Sequence, residues 1–156
     1  PAAVTTRLVQ TTIPVDIVAT LRPMLRGRGD PTMKTAPGVV TRASRTPEGP
    51  ATLRLAQAEG GIEVEAWGPG SPWILERAPA WCGALDDDAD FDPPKGLVRD
   101  LWRRNRGLRI PSTGLLTERL IPVILEQKVT GQEARRAGRT GGQVFDVRLW
   151  PVRQPL

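Results

Sequence analysis

The apolar run Leu120-Ile121-Pro122-Val123-Ile124-Leu125 stops at Glu126-Gln127-Lys128, and one residue later Thr130-Gly131-Gln132-Glu133 begins. In that tetrad the Thr130 hydroxyl is spaced to accept from the amide of residue 133, while Glu133 reaches back to Thr130. This is a capping box, the signature of a new helix. Free amides and the positive dipole end at such a start hold phosphate oxygens. Gln127 and Lys128 project from the break itself, so the chemistry on offer is recognition of a polyanion. A solvent-facing corner with no ligand is the plainer alternative.

Other residue types narrow the chemistry further. The chain has no histidine and one cysteine, Cys82. That excludes Ser-His and Cys-His nucleophilic machinery, a disulfide framework and nearly every common catalytic zinc arrangement. The run Asp86-Asp87-Asp88-Ala89-Asp90-Phe91-Asp92 invites a calcium reading, but a calcium-binding helix–loop–helix needs glycine at its sixth position and glutamate at its twelfth. Those positions, counted from Asp86, hold Phe91 and Leu97. A solvated linker is the better reading, and neither metal nor cofactor is expected.

Charge is segregated along the chain. Residues 1–94 carry 9 basic and 12 acidic side chains, whereas residues 95–139 carry 11 basic and 4 acidic, within a total of +5. The positive charge is thus gathered around the corner, which points to a polyanionic partner or to a solvated basic face. No apolar run approaches a membrane span and no basic-then-apolar leader opens the sequence, so no membrane is expected and the cytoplasm is the default location.

The elements that must position the corner are legible in outline. A strand is expected at 7–13, and then a helix opened by Pro14 with Val15, Val18, Leu21 and Leu25 on one face. Residues 27–31 form a turn, and strands follow at about 38–45, 51–58 and 62–67. In the last two, Leu53/Leu55 and Ile62/Val64/Ala66 alternate with Arg54 and Glu63/Glu65, the pattern of a half-buried antiparallel sheet. Ser71-Pro72 reads as an N-cap and first-turn proline, and Asp92-Pro93 repeats the device before a stripe of Leu97, Val98, Leu101 and Trp102. The tryptophans sit in apolar patterns and are assigned to packing rather than base stacking. A helix over 113–127, capped by Thr113 and perturbed at Pro122, then carries the corner.

The stretch RRNRGLRIPSTGLLTERLIPVILEQKVTGQEARRA (103–137) resembles the DNA-3-methyladenine glycosylase II family of the helix-hairpin-helix glycosylase superfamily. The likeness lies in the GLR turn (107–109) and above all in ILEQKVTG (124–131), and it extends back over the β-rich part to about residue 8. It implies an α+β fold: a TBP-like antiparallel sheet with helices over 1–92, followed by the first helices of an all-α glycosylase domain over 93–137, incomplete. A divergent tail occupies 138–156. It also implies base excision repair of alkylated bases in double-stranded DNA by base flipping. By position, Lys128 would fill the gap left by the flipped nucleotide, Gln127 would touch neighbouring bases, and Thr130 and Gly131 would lie against the backbone.

The chemistry of that family lies in a helix-hairpin-helix with an LPGIG-like turn and a later aspartate. No LPGxG occurs here, none of the nine aspartates follows such an element, and Asp146 lacks the context. Gly138, Gly141 and Gly142 break the helical pattern, as a change of reading frame near residue 137 would. The expectation is therefore a truncated glycosylase, inactive alone. The stripe Leu116, Leu120, Ile124 is left without its partner helices, inviting self-association or a missing catalytic half. Two alternatives stay open: a non-catalytic basic DNA-binding module, and one half of a split enzyme.

Overall fold

The computed structural model describes residues 4–27 and 29–128. Five strands, β1 (Thr5–Gln10), β2 (Met33–Ala36), β3 (Val39–Thr46), β4 (Gly49–Ala58) and β5 (Gly61–Trp67), form one antiparallel sheet in the order β1-β5-β4-β3-β2. Five helices accompany it: α1 (Ile17–Leu21, continuing into a 3-10 turn at Arg22–Met24), α2 (Ser71–Glu76), α3 (Ala78–Trp81), α4 (Leu97–Arg104) and α5 (Leu116–Lys128). The architecture is α+β.

Strand alternation builds the core. Leu55 lies opposite Val40 and Val64, and Leu53 opposite Arg42 and Ala66, so these positions share one face of the sheet. That face is closed by Ile17, Leu21 and Met24 from the α1 region and by Ile74 and Trp81 from α2 and α3. Each fully buried leucine or isoleucine contributes roughly 1.5–3 kcal/mol relative to exposure. The opposite face carries the partly exposed pair Arg54–Glu65, 2.9 Å apart, among the small buried residues Ala43, Thr52 and Ala56. A packed face alternating with one that carries charged residues is what the alternation of Leu53/Leu55 with Arg54 requires of an antiparallel sheet.

Cys82 is enclosed in the core, and burial pushes its thiol up to about 12, which keeps it neutral and unreactive. The β4–β5 connection turns on Gly60 at φ 78°, a left-handed position costly to a side chain.

Several expected boundaries shift, each for a local reason. The first helix opens at Ile17, because the Asp16 carboxylate accepts from the Ala19 amide and is the working cap. Strand β2 has no sequence signal beyond Met33-Lys34-Thr35-Ala36; it forms because β3 supplies its hydrogen-bonding partner. Ser71 is the first helical residue of α2 rather than its cap, which is Gly70. Asp92-Pro93 does not open α4, which starts at Leu97; Asp92 instead takes an ion pair with Arg99. Thr113 caps a tight turn, its hydroxyl accepting from the Leu115 amide at 3.2 Å, and α5 begins at Leu116 and runs on through position 122. Among the tryptophans, Trp81 is fully buried, while Trp73 and Trp102 are partly exposed.

Candidate nucleic-acid interface

The corner sits at the end of α5, so its placement depends on how α5 is fastened. Leu115 is buried in the core immediately before the helix. Glu118, in the first turn, reaches the sheet: its Oε2 lies 3.3 Å from Arg42 Nη2 and accepts from Ser44 Oγ at 3.2 Å. Its backbone carbonyl accepts from Arg26 Nη2 at 2.7 Å. Three elements, the loop after α1, β3 and α5, therefore meet at one residue, Glu118.

Arg42 is the unusual member, a cation 1 % exposed on the core face of β3. Its Nη1 reaches only the sulfur of Met33 at 3.9 Å, and its Nε has no partner among the described residues. A buried charge of this kind persists only if paired, and Glu118 is its one ion pair among the described residues. Arg26 is itself held below its ordinary value, first by burial and next by the neighbouring charge of Arg42. The strand pattern Val40-Thr41-Arg42-Ala43-Ser44 gave the signal: Arg42 shares the parity of Val40 and so points inward.

A second clamp fixes the basic segment that precedes α5. Arg109 is buried and spreads its donors over four partners: Nε to the Pro14 carbonyl, Nη1 to Asp88 at 3.0 Å, Nη2 to the Arg106 carbonyl, and its amide to the Thr20 hydroxyl. Gly107 closes the same joint by accepting from the Asp16 amide at 2.7 Å. A Cβ at Gly107 would stand 2.7 Å from that nitrogen, so the GLR turn needs glycine for close approach. The hydrogen bond from Arg109, its largest influence, holds the Asp88 carboxyl below the usual carboxylate value.

The acidic run is therefore more than a solvated linker. Asp86 accepts from the Ile110 amide, Asp88 takes Arg109 and Asp92 takes Arg99, so the run ties the acidic and basic halves together. No group of three or more metal-ligating side chains occurs among the described residues.

The four residues expected at the interface fall in two groups. Gln127 is exposed, and Lys128 is the last residue of α5. Thr130 and Gly131 lie outside the described residues, as do the capping box and the tail at 138–156. In the basic segment that leads to Lys128, Arg103, Arg104, Arg106 and Arg119 are all exposed, and Arg106 stacks over the Trp102 ring at 4.1 Å. Exposed guanidinium groups of this kind can hold phosphates and release their counterions. Among the described residues no helix is long and apolar enough to cross a membrane. No family model and no curated protein matches the chain.

Proposed function

We propose that this chain is the DNA-engaging part of a DNA-3-methyladenine glycosylase-like protein, gripping duplex DNA with the basic segment that ends at Gln127 and Lys128. The observation that carries the reading is the pairing of the ILEQKVTG motif with its support. The part of the motif within the described residues, Ile124–Lys128, lies on α5, whose first turn is fastened to the sheet by Glu118 and Arg42. A wedge that enters a base stack must be braced, because unstacking and unpairing cost a few kcal/mol. The aliphatic stem of Lys128 would lie along the bases while its ammonium meets a phosphate. Thr130 and Gly131 would complete the grip at the next helix start through backbone amides.

Base removal is assigned to no residue of this chain. Protein and alkylated duplex incubated together should therefore release no free base, and release of alkylated base would overturn that part of the reading.

The binding itself is tested by fluorescence anisotropy of a labelled duplex at several salt concentrations. Affinity is expected in the micromolar range at physiological salt, with log K falling steeply against log salt. Binding that ignores salt would sink the proposal. A second reading, a non-catalytic module that coats any duplex, is favoured by the four exposed arginines. It shares the salt dependence but not a preference for a gapped base stack.

A further inference from the structure

The two edges of the sheet are defended unequally. Strand β2 is four residues long, carries Lys34 and is followed by Pro37, features that keep an edge from adding strands. Strand β1 is six residues long, Thr5-Thr6-Arg7-Leu8-Val9-Gln10, with an unbroken register and no proline. Its one charge does not guard it. Arg7 is drawn back to the end of α2, where it donates to the Leu75 carbonyl at 3.0 Å and the Glu76 carbonyl at 3.4 Å. Among the described residues β1 is paired on one side only, against β5.

The register fixes which groups face outward. Thr11 donates its amide to the Gly60 carbonyl, and Val9, Arg7 and Thr5 stand opposite Ile62, Val64 and Ala66 in the same phase. Hydrogen-bonded pairs alternate along an antiparallel ladder, so the amides and carbonyls of Thr6, Leu8 and Gln10 point away from β5. Apolar surface accompanies them: Leu8 is 51 % exposed, Val4 52 % and Leu85 73 %. An open cleft of about 320 Å³ lies between this strand and Pro79, Ala84 and Leu85.

We propose that β1 pairs antiparallel with β1 of a second copy of this chain, about a twofold axis at Leu8, joining the two sheets edge to edge. The strand is self-complementary in that register. Leu8 meets its own copy and Thr6 meets Gln10 of the other copy, so apolar faces apolar and polar faces polar. Arg7 falls opposite Val9, whereas pairing centred on Arg7 would oppose two like charges. Pairing β1 with β2 of a neighbour would propagate without end and would use the defended edge; like with like closes at two. One strand edge is a small contact beside the ~800 Å² per partner of a standard interface, so the dimer grows with concentration. The edge shares no residue with the segment given to DNA, and the pairing does not rest on that reading.

Sedimentation equilibrium of the full chain from micromolar to millimolar concentration measures the dimer, and amide hydrogen exchange at both ends of that range locates it. A monomer–dimer equilibrium is expected, with the amides of Thr6, Leu8 and Gln10 slowing as concentration rises and those of Arg7 and Val9 slow throughout. Thr6→Pro removes an amide that faces outward, a position where an edge strand accepts proline. Leu8→Lys sets a charge against its own copy. Each substitution acts twice across the twofold, so each should raise the dimer Kd about tenfold or more while circular dichroism stays unchanged. A monomer at every concentration, or a dimer that either substitution leaves intact, overturns the proposal. So does slowing of the three amides that ignores concentration, which gives the edge to another segment of the same chain. A dimer that Leu120→Ser dissolves and Leu8→Lys does not overturns it as well, giving the contact to α5.

Discussion

Glu118 decides whether α5 stays on the sheet. It neutralises a guanidinium that is 1 % exposed, and its backbone carbonyl holds Arg26. Replacing it with alanine leaves Arg42 buried and unpaired, which costs about 3–5 kcal/mol. Urea denaturation of Glu118→Ala should show that loss, whereas Arg119→Ala, one residue on and exposed, should cost under about 0.5 kcal/mol. Equal stability of the two variants would mean that α5 is held by something other than this pair. Asp88 makes a prediction in pH. Its carboxyl is held below the ordinary 3.8 by Arg109. The folded state thus binds its proton less readily than the unfolded chain, and the stabilisation is complete above the unfolded pKa. It is lost as pH falls below about 3.8 toward the lower folded value. Following the Asp88 carboxyl by NMR should give a midpoint below 3.8, and Arg109→Gln should move that midpoint up.

At the scale of elements, the GLR turn is a joint between α1, the acidic loop and the basic segment. Gly107→Ala places a methyl 2.7 Å from the Asp16 nitrogen, so the Asp16–Gly107 hydrogen bond must open. Hydrogen exchange at the Asp16 amide should accelerate markedly in that variant, while amides of β4 and β5 keep their protection. Unchanged exchange at Asp16 would show that the joint yields without opening. The elements themselves were legible to different degrees. Strands β3, β4 and β5 announce themselves through period-two alternation, because one face is packed and the other carries charged residues. Strand β2 carries one buried residue, Met33, and so shows no period; only its pairing with β3 makes it a strand. Caps were harder still. Ser71, Asp92 and Thr113 have the right residue type, but Gly70, Gly96 and the Thr113 turn do the work, because a cap depends on backbone geometry that residue type only suggests. Of the candidate interface, the motif and its charge were readable, whereas its brace was not: Arg42 and Glu118 are 76 positions apart and meet only in three dimensions.

The whole molecule is organised by charge. An acidic half supplies the sheet and the core, and a basic half supplies the helices that face outward, with Asp88 and Asp92 spanning the seam. The helices of the basic half bury little: on α5 Leu116, Leu120 and Ile124 are 74 %, 47 % and 49 % exposed, as the unpaired stripe in the sequence implies. The first turn of α5 is tied to the sheet through Glu118, and in the proposed reading Gln127 and Lys128, three turns on, meet the DNA. The most direct test of that account compares two labelled duplexes in one anisotropy titration, one intact and one with a stable abasic residue at its centre. If Lys128 fills a gap in the base stack, the abasic duplex binds about tenfold tighter, since its unstacking is already done. Lys128→Ala should then erase the difference while leaving binding to the intact duplex largely in place. Equal affinity for the two duplexes, or a preference that survives Lys128→Ala, would contradict it.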